Sequence, residues 1–250
     1  MKTLFIGHGS PENALAHNRY TEFLSGLGAL MSKPKAIVVF SAHWLTHGTY
    51  ITGNSQPPQI YDFYGFPESL YRVQYCPPGS RELAETISGK IPEIRVDYSR
   101  GIDHAAWAVI RHIYPAADIP VLELSLNRDL PEPDHFRLGT VIASLELSDV
   151  LFIGSGNAIH NLSLVDFSPD PKPYSWAEAT NAWLVDRIEH NRQEELLGYK
   201  KFMPDWQRAV PTDDHYLPLL YVLGMRTSET KILFNELQNA SISMLAFSVS

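Results

Sequence analysis

Four short apolar runs set the limits on how this chain can fold. They are TLFIG (3–7), KAIVVFS (35–41), IPVLELSL (119–126) and VLFIGSG (150–156). They show almost no alternation of apolar and polar residues. A strand with one wet face alternates, whereas a strand covered on both faces does not. The runs therefore read as interior strands of a parallel sheet, and the tail SISMLAFSV (241–249) reads as a further, partly alternating strand. Helical spacing falls between them, at 80–91, 103–115, 136–147, 175–190 and 212–224. In the second of these, Asp103 is placed to cap, Trp107, Ile110 and Ile113 share a face, and Pro115 stops the helix. Strands alternating with helices predict an α/β fold, with a mostly parallel central sheet and helices on both faces. A chain of 250 residues is expected to form a single domain over 1–250.

The formal charge of -8 argues against nucleic acid and anionic membranes as partners, since both favour basic patches. Cys76 is the only cysteine, so no intrachain disulfide forms. No apolar run approaches the roughly 18 residues of a membrane helix, and the first residues lack a signal-peptide pattern. The expected compartment is the cytoplasm.

The chain has ten histidines, and three of them repeat one arrangement. His8 follows LFIG, His43 follows IVVFS, and His160 follows LFIGSG. Each leaves the carboxyl end of a predicted strand, the rim where open α/β sheets bind ligands. His215, in TDDHYLPLL, opens a predicted helix. Neutral imidazole is the commonest metal-ligating side chain, so the repetition points to a shared metal site at this rim. Gly7, Gly9, Gly154 and Gly156 allow sharp bends and close approach there, although turn chemistry alone also explains them. A phosphate loop at GHGS lacks the following lysine. His104, just after Asp103, falls in the first turn of a helix, where the dipole favours a neutral ring suited to general acid or base work. A plain capping role is the alternative. His17, His47, His112, His135 and His190 have no such setting and read as surface or structural residues. Two Pro-rich loops, 55–71 and 166–176, are long enough to be functional. In the first, Tyr61, Phe63, Tyr64 and Phe66 either wall a pocket for a flat apolar ligand or pin the loop to the body.

GHGSP, SAHW, GIDHAAW, GSGNAIHN and HYLPLLYVLG occur in that order. Together they resemble the signatures of the class III extradiol ring-cleavage dioxygenases, and within them the bacterial 4,5-DOPA extradiol dioxygenase-like branch. The resemblance spans Leu4 to about Phe247. It implies metal binding by His8, His43, His160 and His215, and an acid–base role for His104. His160 carries two readings, ligand and acid–base catalyst. Class III enzymes typically hold Fe(II) with two histidines and a carboxylate, whereas His215 stands here in the carboxylate's place. Neutral imidazoles suit Zn(II), but zinc is redox-silent. The expectation is one divalent ion per chain, Zn(II) as bound and Fe(II) for ring cleavage. The implied reaction opens a DOPA-like catechol beside its two hydroxyls with O2, giving a muconic semialdehyde. A zinc-dependent hydrolase and a non-catalytic metal-binding relative are the alternatives. No basic residue is assignable to a substrate carboxylate, and the oligomeric state is open.

Overall fold

The computed structural model describes residues 3–250. In chain order the strands are β1 (Thr3–Ile6), β2 (Ala36–Thr46), β3 (Thr49–Thr52), β4 (Ile94–Asp97), β5 (Val121–Asn127), β6 (Val150–Ser155), β7 (Thr230–Phe234), β8 (Leu237–Gln238), β9 (Ile242–Ser243) and β10 (Ala246–Val249). The helices are α1 (Arg19–Leu30), α2 (Glu68–Tyr71), α3 (Arg81–Lys90), α4 (His104–Ile113), α5 (Glu132–Ala143), α6 (Ser175–Glu189), α7 (Gln193–Leu197), α8 (Tyr199–Phe202), α9 (Trp206–Ala209) and α10 (Leu217–Gly224). Eight strands form one sheet in the order β4-β3-β5-β2-β6-β1-β10-β7, and β8 pairs with β9 separately. The centre, β5-β2-β6-β1, is parallel. β3 and β10 join it antiparallel.

Both faces of the central strands are apolar, which explains why their sequences do not alternate. Val38, Phe40, Leu122, Leu124 and Phe152 pack into the core shared with α3, α5, α6 and α10. Their chain neighbours Ile37, Val39, Val121, Leu151 and Ile153 pack on the opposite side with α1 and α4. Truncating one fully buried aromatic such as Phe40 to alanine is expected to cost about 3–5 kcal/mol.

Several boundaries differ from the sequence reading. β2 continues through His43 to Thr46, with its register against β5 shifting between Phe40 and Leu45. The tail strand is broken into β9 and β10. α5 begins at Glu132 because Pro133 fits the first turn, and it ends before Ser144. α10 begins only at Leu217, again with a proline, Pro218, in its first turn, so His215 lies in the preceding turn. Asn18 forms a capping box with Thr21 and so starts α1, a helix whose amphipathic stripe is narrow.

Candidate metal centre

Sheet register places the first two histidines. Ile6 of β1 pairs with Ser155 of β6, and Ser155 pairs with Ser41 of β2, so these three residues form one row across the rim. His8 and His43 each lie two residues beyond that row. In parallel strands an equal offset brings side chains to the same level. Gly9 adopts a left-handed φ of 66°, which turns the chain away directly after His8.

Hydrogen bonds fix the tautomers of both rings. Ser155 Oγ donates to the Ala105 carbonyl at 2.6 Å, so it accepts from His8 Nδ1–H at 3.1 Å. His43 Nδ1 lies 3.0 Å from Asp62 Oδ2 and donates to that carboxylate. With both rings neutral, as metal ligands are, their Nε2 atoms carry lone pairs that face each other at 3.3 Å. Two acceptors have no bond to share, but a cation between them satisfies both. Nitrogens held about 2.0–2.1 Å from one tetrahedral ion stand roughly 3.3 Å apart.

His215 completes a triangle. Ring centres of His8 and His43 are 5.1 Å apart, those of His8 and His215 5.2 Å, and those of His43 and His215 4.9 Å. Three imidazoles around one tetrahedral ion have centres about 5 Å apart. His215 reaches this position because its backbone lies against β6 and the residues after it. A Cβ on Gly156 would stand 2.4 Å from the His215 carbonyl oxygen. Ligand atoms of His8, His43 and His104 lie within 4.8 Å of one another, as do those of His160, Asp214 and His215, so the cluster fits a divalent transition metal.

His104 stands beside the triangle, its ring centre 4.1 Å from that of His43. Asp103 caps α4 by accepting from Ala105 N–H, while Ser41 Oγ and Arg100 donate to the same carboxylate. His104 bonds to Asp62 instead, giving Nδ1–H to Oδ1 at 2.8 Å and its backbone N–H to the same oxygen at 3.1 Å. One carboxylate thus orients both His43 and His104, leaving Nε2 of His104 free. His160 stacks on His215 with centres 4.3 Å apart. Its Nε2 lies 3.2 Å from Thr212 Oγ1, which itself donates to Asp214 at 2.5 Å. His160 Nε2 is therefore a donor, in contrast to the Nε2 atoms of His8 and His43. Asp214 Oδ2 also lies 3.1 Å from His215 Nδ1, whereas Asp213 turns away to Tyr199 and Lys200.

Burial, reinforced by the neighbouring imidazoles, pushes His8 well below its ordinary pKa. Burial also lowers His104 and His215, and it brings His160 down to about 3. These rings are neutral, as ligands and bases must be. Burial alone would lower His43 too, but the Asp62 bond and nearby carboxylates outweigh it and leave its pKa raised. Burial would raise Asp62, but bonds from His104 and His43 hold its carboxyl well below the usual range.

All five histidines line one cavity of about 590 Å³. Its remaining wall is largely apolar, with Phe63, Phe66, Leu162, Val165, Phe167 and Ile242. The loop 55–71 both walls the cavity and pins itself down, since Tyr61 packs on Trp107 at 5.8 Å. The other histidines lie elsewhere. His17 is exposed, His47 pairs with Asp129, and His190 pairs with Asp186. His112 donates to the Asn13 carbonyl, and His135 contacts the Tyr221 hydroxyl. Sequence reasoning missed Asp62 and Ser155. The signal for Asp62 was present, as it is the only charged residue in 55–67. Ser155 gave none, since its role depends on register with β1.

Residues 9–247 match the family model described as the catalytic LigB subunit of aromatic ring-opening dioxygenase. The chain is 38% identical to the 4,5-DOPA dioxygenase extradiol of Escherichia coli K12, covering 100% of this chain and 94% of that protein. It is 36% identical to the protein of the same name from Beta vulgaris, over 92% of this chain and 88% of that one. The crystal structure of an uncharacterized Escherichia coli K12 protein superposes with a TM-score of 0.85 at 34% identity, covering both chains completely. With a histidine-rich site at the rim where the sequence motifs converge, the chain belongs to the LigB family of aromatic ring-opening dioxygenases and is an extradiol dioxygenase.

Proposed function

We propose that the enzyme cleaves the ring of a catechol beside its two hydroxyls with O2, giving a hydroxymuconic semialdehyde. DOPA is the candidate substrate drawn from the names of its relatives. The observation that carries this reading is the pair of lone-pair-bearing Nε2 atoms, 3.3 Å apart, on His8 and His43. His8, His43 and His215 hold the metal, Fe(II) for turnover with Zn(II) as a tighter-binding substitute. An ion held there would supply Lewis-acid chemistry that lowers the phenol pKa and redox chemistry for activating O2.

The protein supplies the rest. His104 accepts a hydroxyl proton at Nε2, while Asp62, bonded to its Nδ1–H, balances the charge that develops on the ring. Phe63 stands edge-on to His104 with centres 5.5 Å apart and confines a flat substrate ring to the space above the histidines. For His160 the geometry favours the acid–base reading over the ligand one, because its Nε2 is engaged by Thr212. The apolar wall excludes water, which strengthens each of these interactions.

The test is O2 consumption after anaerobic Fe(II) loading, with a panel of catechols that includes DOPA. Stoichiometric uptake with a yellow product is expected. Absence of both across the panel overturns the proposal, and oxygen-independent ester hydrolysis by the zinc form would put a hydrolase in its place.

A further inference from the structure

We propose that Glu123 and Arg100 are positioning residues for ring cleavage, which act through Asp103 to set His43 and His104 side by side. The consequence for catalysis rests on the ring-cleavage reading, whereas the placement of the two rings does not. Glu123 lies in β5, paired with Val39 of β2, and is fully buried. A carboxyl group taken out of water costs free energy that an apolar residue at the same place would not. Apolar residues in place of a whole buried charge cluster are often neutral or stabilising, so stability alone does not account for Glu123. What it holds does. Glu123 Oε1 accepts the Asp103 backbone N–H at 2.6 Å, which fixes the residue that caps α4 directly before His104.

Asp103 is equally buried and carries the arrangement on to His43. Its carboxylate accepts the Ser41 hydroxyl at 2.8 Å, and Ser41 Oγ in turn accepts the His43 backbone N–H at 3.1 Å. Arg100 closes the cluster. It donates to Asp103 Oδ2 at 2.8 Å, stands 3.8 Å from Glu123 Oε2, and lies over the ring of Trp44 at 5.1 Å. Trp44 directly follows His43 and Asp103 directly precedes His104, so the guanidinium touches a chain neighbour of each histidine. His43 and His104 thus share Asp62 through their rings and this cluster through their chain neighbours. Burial and the charge of Asp103 beside it raise Glu123 well above the usual carboxyl range, so it is a neutral acid whose acceptor oxygen an amide reproduces.

Glu123→Leu, Glu123→Gln and Arg100→Met test the assignment. In metal-free protein, the Nδ1–H protons that His43 and His104 give to Asp62 should resonate far downfield in the NMR spectrum, as protons in charge-assisted hydrogen bonds do. Glu123→Leu and Arg100→Met are expected to displace both resonances, to weaken zinc binding by about tenfold and to lower kcat for O2 uptake with a catechol by about tenfold. Glu123→Gln is expected to restore the resonances and most of both losses. A merely structural role would lower the urea midpoint but leave the resonances and zinc affinity of the folded protein as they are, and that result overturns the inference. Glu123→Gln failing as Glu123→Leu does overturns it as well. Arg100→Met, at a partly exposed position, gives the same readouts should Glu123→Leu not fold. If the unaltered protein cleaves no catechol, the ring-cleavage reading falls, and the resonances and zinc affinities still decide whether the cluster places the two histidines.

Discussion

His8 Nε2 and His43 Nε2 face each other at 3.3 Å, although the Nδ1–H of each ring already donates to an oxygen. With both rings neutral and no cation between them, two lone pairs oppose each other. With one, they become ligands.

Metal should therefore stabilise the fold. Ligand that binds only the native state adds about 2.7 kcal/mol at a hundredfold excess over Kd, a rise of roughly 5–10 °C in Tm for a chain of this size. Adding Zn(II) to chelator-treated protein should produce that rise in scanning calorimetry, and His8→Ala should abolish it. A full rise in His8→Ala would mean that the ion sits elsewhere.

Asp62 and His104 separate orientation from proton transfer. Asp62→Asn removes the anion that holds two rings, and loss of such an outer partner typically costs 10–100-fold in metal affinity or activity. His104→Gln leaves the three-imidazole triangle intact. It should lower kcat by about 10²–10⁴-fold, with metal content by elemental analysis unchanged. Metal lost from His104→Gln would make His104 a ligand.

His8, His43 and His160 were legible in the sequence because each follows a run of apolar residues that had to be an interior strand. His8, His43 and His160 needed only strand ends, and His104 only a capping residue. Asp62 stood out as the lone charge of 55–67, but a loop without periodicity does not disclose where its carboxylate points. Ser155 was hidden for another reason. Its partner His8 is 147 residues away and is brought to it by β1–β6 register, a long-range pairing that local patterns do not encode. The N-terminal limit of α10 was misplaced because helical spacing continues back through 212–216, whereas Pro218 sets the first turn.

Gly156 permits the approach that delivers His215. An added methyl would meet the His215 carbonyl oxygen at 2.4 Å, closer than real Cβ contacts come. Gly156→Ala should cost about 1–3 kcal/mol, as overpacked interiors do, and should weaken zinc binding by displacing His215. Gly26→Ala is the control, since nothing lies within 4 Å of a Cβ at that position in α1. It should stabilise by about 0.4–1 kcal/mol and leave zinc affinity unchanged. Urea unfolding and zinc titration of the two variants check both effects, and unaltered zinc affinity in Gly156→Ala would refute this account of the glycine.

Stability should depend on pH through a histidine outside the cavity. Burial pushes His112 below its ordinary pKa of 6.5, and its Nε2–H donates to the Asn13 carbonyl at 2.9 Å. Because the folded pKa is the lower one, the unfolded chain takes up a proton that the fold refuses as pH falls through about 6.5. Above that pH the residue contributes no pH dependence. Below it, stability is lost by up to about 1.4 kcal/mol per pH unit until the folded pKa is reached. His112→Gln keeps a donor for the Asn13 carbonyl and removes the titration. Urea unfolding of metal-free protein between pH 7 and 5 should therefore show a shallower loss in this variant. An equal or steeper loss would mean that His112 titrates alike in both states and that its burial carries no linkage.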